Sequence, residues 1–165
     1  MESAVWGLIG TIVGALASIG TTWISARNAS TLQKQSSSLE RMERERAFQR
    51  ETLVELQDAL HDVFRMTART YLEDSASFKQ SGNWGKSLLS EEVDEGIRLA
   101  NRKVSILIER IANDLLRSEL KDAMKVSGQM GLARSQAEAE TVFVRMNATV
   151  SDVMERLGNV LRSLY

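Results

Sequence analysis

The chain contains no cysteine and no proline. Without cysteine it has no disulfide bonds, no thiolate zinc sites and no cysteine nucleophile, and the redox compartment stays undetermined. A chain of this length ordinarily carries several prolines, and proline breaks helix interiors. The absence of proline therefore favours long, uninterrupted helices, and we expect an all-α fold.

A strong net charge is missing as well, since 21 lysines and arginines stand against 22 aspartates and glutamates. Domains that bind nucleic acid are usually strongly basic. The charge balance therefore predicts no nucleic-acid partner. The 165 residues, less a hydrophobic N-terminal segment, are enough for one compact domain.

Charged side chains are absent between residues 3 and 26. That run exceeds the ~20 residues that an α-helix needs to cross a bilayer. Trp6 and Trp23 lie near its two ends, about 25 Å apart along a helix, which suits indole rings in opposite headgroup layers. We predict a transmembrane anchor over residues 1–26, with Trp6, Trp23 and Arg27 at the membrane interfaces.

Glycine recurs in this segment, although each glycine costs about 1 kcal/mol relative to alanine in a helix in water. In lipid, helices associate by close backbone approach, which small residues permit. At ~100° per residue the small side chains share one side of the helix, opposite Ile9, Leu16 and Ile19. This face predicts homo-oligomers, unless the glycines only reflect the usual composition of membrane helices. The predicted packing residues are Gly7, Gly10, Thr11, Gly14, Ser18 and Thr22.

A cleaved signal peptide is the alternative to an anchor, because Ala15-Leu16-Ala17 matches a small-x-small cleavage pattern. No basic residue precedes the apolar run, however, and the run continues beyond Ala17, so we favour a retained anchor. Cations follow the segment, beginning with Arg27 and Lys34, which predicts a cytoplasmic C-terminal part. The expected location is the inner (plasma) membrane, single-pass, with the N-terminus outside and the lipid bilayer as a partner.

The remainder divides into a juxtamembrane linker, residues 27–38, and a helical bundle, residues 39–165. The serine-rich linker is either flexible or a continuation of the helix. Three amphipathic helices over about 39–78, 91–126 and 136–163 predict an antiparallel three-helix bundle. Heptad spacing in the first predicts partial coiled-coil character, and Ser90 and Ser135 are the expected N-caps of the others. In the first helix the heptad-spaced residues are Leu39, Met42, Leu53, Leu56, Leu60 and Val63, with coiled coil expected in the early half and bundle packing in the later half. The expected core stripes of the second and third helices are Val93, Ile97, Ala100, Val104, Leu107, Ile111 and Leu115, and then Val142, Met146, Val150, Val153, Leu157, Val160 and Leu164.

Trp84 lies between two glycines in the expected main loop, residues 77–90. It is a candidate contact for a protein partner of unknown identity, since tryptophan is frequent at binding hot spots. The alternative is that it folds back over the end of the bundle.

Catalytic and metal-binding motifs are hard to find. His61 follows Asp58 by three residues on a helix, but a di-iron bundle site needs two Glu-x-x-His units, so we expect an exposed histidine. The sequence has no nucleophile elbow, Walker loop or dinucleotide fingerprint. We predict no catalytic or metal site, no cofactor, no small-molecule substrate and no enzymatic activity.

A glycine-rich N-terminal span ending in TTWISAR, followed by an arginine-rich helix, resembles short single-span bacterial membrane proteins of uncharacterised function. The resemblance covers about the first third of the chain and implies no activity or site. Together these features predict a membrane-anchored helical interaction or scaffold protein that self-associates through its span. The alternative is membrane disruption, as a pore-forming toxin or effector or a spanin-like phage lysis protein.

Overall fold

The structure, a computed structural model, describes residues 2–86 and 88–165, and the side chains of these except residues 2–5, 8, 12, 13 and 17. The described residues form helices joined by short loops, without strands, which confirms the predicted all-α class. Its four α-helices are α1 (Glu2–Ser81), α2 (Glu91–Glu109), α3 (Asp114–Gly128) and α4 (Gln136–Arg162), with a 3-10 helix, Gln129–Leu132, between α3 and α4.

Helix α1 continues through the serine-rich segment that the sequence left open. Small polar side chains there bond to the carbonyls of their own helix, which makes them compatible with it. Thr31 Oγ1 donates to the carbonyl of Arg27 at 3.0 Å, and Ser38 Oγ donates to the carbonyl of Gln35 at 2.8 Å. The chain forms two compact units, residues 1–45 and 46–165, and the boundary falls inside α1.

The second unit is built around a main apolar core to which all four helices contribute, and Met130, Ala139 and Val142 form a smaller second cluster. The stripe from Leu53 to Val63 on α1 is buried as predicted, because its seven-residue spacing keeps these side chains on one helix face. The α4 stripe is also buried at Val142, Met146, Val153 and Leu157. The largest fully buried side chains are Leu53, Leu56, Leu60, Val63, Val93, Val104, Leu107, Ile111, Leu116, Leu120, Met146 and Leu157.

Contacts within this unit show that successive helices alternate in direction. On α1, Arg69 pairs with Glu92 at the start of α2 at 2.7 Å, and Gln49 bonds to the carbonyl of Arg110 just after its end. Helix α4 also runs antiparallel to α1, since Phe143 near the start of α4 stacks on Tyr71 near the end of α1. Thr67 lies 2.8 Å from Ser127, near the end of α3, so α3 runs in the direction of α1.

The second unit contains four α-helical segments where three were predicted, because the expected helix over 91–126 is interrupted at residues 110–113. Asn113 is the N-cap of α3, and its side chain accepts a hydrogen bond from the amide of Leu116 at 2.9 Å. The interruption changes the helix phase that follows. Leu115, expected in the core stripe, is 57% exposed, and Leu116 is fully buried in its place.

The expected N-caps occupy their predicted positions but bond differently. Ser135 Oγ accepts from the amide of Glu138 at 3.2 Å, while the Glu138 carboxylate accepts from the amide of Arg134 and not from that of Ser135, as a full capping box requires. Ser90 makes no side-chain cap bond to α2. Its amide and hydroxyl both donate to Glu73, at 3.0 and 2.7 Å, which ties the loop to α1.

Helix α1 extends into the segment expected as the main loop and ends at Ser81. Gly82 follows with φ of 70°, and its amide bonds to the carbonyl of Phe78 at 2.8 Å. This is the left-handed C-terminal cap that glycine adopts without steric cost. The connection to α2 is correspondingly shorter than the sequence suggested.

Candidate membrane segment and interaction surfaces

Within the described residues, α1 is the one helix long and apolar enough to cross a membrane, and its apolar stretch is not buried by the rest of the chain. The bulky side chains described there are exposed, with Trp6 at 71%, Leu16 at 63% and Ile19 at 66%. Soluble proteins seldom expose a contiguous apolar surface of this kind, and one that does is suited to contact lipid or another protein. The first unit therefore presents a candidate membrane segment.

The predicted packing face of this segment is open. A Cβ built on Gly7, Gly10 or Gly14 would meet no described atom within 4 Å, apart from its chain neighbours and the helix's own nearby backbone. Thr11 and Thr22 lie on the same segment, and their hydroxyls donate to the carbonyls of Gly7 and Ser18, both at 2.8 Å.

The predicted interface residues lie at the two ends of the apolar stretch. Trp6 and Trp23 are both exposed, and the guanidinium of Arg27 lies 5.6 Å from the centroid of the Trp23 ring. This distance allows a cation–π interaction. The pair places an amphipathic ring and a cation side by side, a combination that suits the headgroup layer.

Trp84 folds back onto the second unit and joins an aromatic cluster. Its ring centroid lies 6.1 Å from that of Tyr71 and 5.9 Å from that of Phe78, while Tyr71 stacks on Phe143 at 4.9 Å. Offset and edge-on ring pairs at these distances are favourable. Trp84 is only half-buried, so this packing leaves part of the ring accessible. Its predicted contact with a protein partner stays a prediction.

Gln49 connects α1 to the α2–α3 turn. Its Nε2 donates to the carbonyl of Arg110, and its Oε1 accepts from the amide of Ala112, both at 2.9 Å. These backbone groups belong to the helix interruption and lack regular helical partners. In the sequence, Gln49 is a polar residue within a heptad-spaced helix. Its spacing carries no signal of this role, because the groups that it binds lie 61 and 63 residues away.

Arg50, the next residue, holds the end of the chain. Its Nη1 donates to the carbonyl of Leu164 at 2.9 Å, and its guanidinium lies 5.2 Å from the centroid of the Tyr165 ring. The structure gives this arginine an intramolecular role.

Two neighbouring carboxylates on α1 have shifted pKa values of opposite direction. The backbone and side-chain hydrogen bonds from Ser90 lower the pKa of Glu73. Burial raises the pKa of Asp74, and the adjacent Glu73 charge raises it further. The shift of Glu73 follows from the packing of the loop before α2 against α1.

His61 is exposed on α1. Among the described residues no group of three or more histidine, cysteine, aspartate or glutamate side chains is placed to hold a metal ion. Glu55, six residues before His61 on the same helix, has its carboxylate 3.4 Å from the Lys103 ammonium of α2. These residues are thus part of the surface charge pattern of the second unit.

The chain is therefore an all-helical protein with one helix suited to span a membrane and a separate helical unit with its own core. No known protein family, curated protein or solved structure matches it.

Proposed function

We propose that the protein is a membrane-anchored helical interaction protein. The apolar part of α1 crosses the inner membrane, associates with other copies through Gly7, Gly10, Gly14 and Ser18, and holds residues 46–165 at the cytoplasmic face. Two observations carry the proposal: the apolar stretch of α1 is exposed, and the core of the second unit contains no residue of that stretch. Burial of apolar surface contributes roughly 25 cal/mol per Å², so lipid is the favourable surrounding for this stretch.

The hydroxyl groups in the span support an anchor more than a polar path through the membrane. A hydroxyl in hydrocarbon must be hydrogen-bonded, and the i−4 carbonyl of its own helix is a suitable acceptor. Thr11 and Thr22 both make this bond. Their polarity is thereby satisfied within the helix.

The anchor is tested by placing charge in its middle. The double variant Leu16→Arg/Ile19→Arg should move the protein from the carbonate-resistant membrane fraction to the soluble fraction, because each arginine costs about 2.5–3.5 kcal/mol at the centre of a membrane helix. The matched control, Ser30→Arg/Gln33→Arg, adds the same charge to α1 beyond the span and should stay in the membrane. Equal extraction of both variants would refute the anchor.

Orientation is tested with a single engineered cysteine, since the native chain has none. Leu88 is 98% exposed in the loop before α2, so Leu88→Cys should be freely reactive. An impermeant maleimide should label it only after the cells are opened. Labelling of intact cells would place residues 46–165 outside and contradict the cytoplasmic assignment.

Contact between spans is tested by placing large side chains on the helix face that carries the small residues. Gly10→Ile/Gly14→Ile should abolish crosslinked oligomers in bilayers, because the branched side chains prevent close backbone approach. Ile9→Leu/Leu16→Ile, on the opposite side, should preserve them. The same expression cultures decide against membrane disruption if the membrane potential is unchanged, whereas its rapid, span-dependent loss would favour that function.

A further inference from the structure

A second exposed apolar stripe lies on α1 beyond the membrane segment. Leu32 is 66% exposed, Leu39 61% and Met42 47%. Together with Gln35 these residues are spaced alternately by three and four residues along α1, which places them on one face of the helix. We call Leu32, Gln35, Leu39 and Met42 the juxtamembrane stripe.

The stripe follows the same heptad register as the small face of the span. Counted in sevens along α1, the a and d positions from Gly7 to Asn28 are all glycine, serine, threonine or asparagine. From Leu53 onward the same positions form the buried core stripe of α1 in the second unit. The former positions are Gly7, Thr11, Gly14, Ser18, Thr21, Ser25 and Asn28; the latter include Leu53, Leu56, Leu60 and Val63.

The continuity of α1 through residues 27–38 gives this register its physical meaning. Two copies inserted in one membrane with the same orientation are parallel. If their small faces meet, the helices that continue from them bring the juxtamembrane stripes together as well. The span thereby raises the effective concentration of one stripe near the other, so a short seam is sufficient.

The charge pattern of this segment fits an identical partner. Between residues 28 and 42 the a, d, e and g positions carry no charge, whereas Lys34, Glu40 and Arg41 lie at outer positions. The Glu40 carboxylate pairs with Arg44 on that outer side at 3.4 Å. Two copies can therefore approach through the stripe without like-charge repulsion.

Polar residues in the seam favour a parallel, in-register pair. Gln35 of each copy faces Gln35 of the other, and an amide side chain both donates and accepts hydrogen bonds. A polar residue at such a position fixes register and the number of strands in coiled coils. The seam ends after Met42, because Arg46 would face its own copy and Gln49 is already bonded to Arg110 and Ala112.

We propose that the juxtamembrane stripe is the dimerisation surface for a second copy of this chain, as a parallel two-stranded coiled coil that continues the contact between spans. The proposal rests on the proposed function and adds to it the partner, the register and the C-terminal limit of the interface. Each copy keeps its own core over residues 46–165.

Disulfide scanning of the full-length protein in membrane vesicles tests the proposal. Cysteine replaces one residue at a time, at Leu32, Gln35, Leu39 and Met42 in the stripe and at Gln33, Lys34, Ser37 and Arg41 on the outer face. Crosslinked dimer should peak at the stripe positions with a seven-residue repeat. A flat profile, or a maximum on the outer face, would overturn the coiled coil.

Gly7→Cys and Gly14→Cys in the same scan separate this proposal from the one on which it rests. Crosslinking at these glycines without crosslinking at the stripe leaves the self-associating span and overturns the coiled coil. Crosslinking at the stripe alone supports the coiled coil and overturns contact between the spans. Failure at every position overturns both.

A substitution pair gives an independent measurement. Leu39→Lys should raise the dimer dissociation constant in detergent about tenfold or more, because it places two cations face to face in the seam. Ser37→Lys introduces the same charge on the outer face and should leave the constant unchanged. Equal dissociation constants for the two variants would contradict the assigned stripe.

Discussion

Gln49 is the residue at which one substitution best tests the architecture of the second unit. The amide bridges the carbonyl of Arg110 and the amide of Ala112, both at 2.9 Å, where α2 stops and α3 has not begun. Replacement by methionine keeps the length and helix propensity of the side chain but removes both hydrogen bonds. The change therefore isolates the polar contact from packing.

The expected cost follows from two hydrogen bonds at a partly exposed site. Each bond contributes about 0.5–1.5 kcal/mol, and water can replace part of the loss at an accessible site. We expect Gln49→Met to lower the free energy of unfolding by about 1–2 kcal/mol. For a unit of this size that is a fall in Tm of about 4–8 °C.

Circular dichroism melting of the full-length protein in detergent provides the assay, and Gln57→Met provides the matched control. Gln57 is an exposed residue of the same type on the same helix. Its replacement should change Tm by less than about 2 °C, as surface substitutions usually do. Hydrogen exchange of the Ala112 amide should quicken only in Gln49→Met. If the two variants melt alike, the bridge does not hold the α2–α3 turn.

Three further substitutions test the packing and electrostatics of the second unit. Trp84→Ala should destabilise the second unit by about 2–3 kcal/mol in denaturant unfolding, because the substitution removes two ring contacts and their buried area. Leu88→Ala in the same loop should be neutral. Equal effects would mean that Trp84 does not pack on the core. A Cβ on Gly96 would lie 3.0 Å from Met66 Sδ, so Gly96→Ala should be nearly neutral alone. In a Met66→Ala background, where the contact is removed, the same change should stabilise the protein by about 1 kcal/mol. Additive effects in this double-mutant cycle would contradict the close approach. Asp74→Asn should raise Tm at neutral pH and have no effect at a pH low enough to protonate Asp74. Burial raises the folded-state pKa of Asp74, so its ionisation above the unfolded-state pKa lowers the stability of the folded protein. Equal Tm changes at both pH values would refute the assignment.

Local patterns in the sequence were sufficient for several parts of the fold. Leu53, Leu56, Leu60 and Val63 are buried as their heptad spacing predicts, since a helix places such residues on one face regardless of its partner. The N-terminus of α4 was equally visible, because Ser135 caps groups within the next turn. Secondary structure and burial of this kind depend on neighbours close in sequence.

The candidate surfaces could be predicted in part from the sequence. The uncharged stretch and its segregated glycines are properties of the sequence, and the structure adds that nothing described in this chain covers Gly7, Gly10 or Gly14. The continuity of α1 through residues 27–38 was not predictable, because a serine-rich segment has no apolar periodicity. That continuity links the register of the span to the juxtamembrane stripe.

The amino-acid sequence alone determined the helical class, the uncharged apolar segment and most of the core stripes, because each depends on composition or on spacing within one helix. Only the tertiary structure decided the interruption at residues 110–113, the exchange of Leu115 for Leu116 in the core and the bridging role of Gln49. The physical reason is that the bridge of Gln49 joins groups more than 60 residues apart, so its free energy exists only once the helices have packed, and the burial of Leu116 in place of Leu115 follows from the helix phase after the interruption.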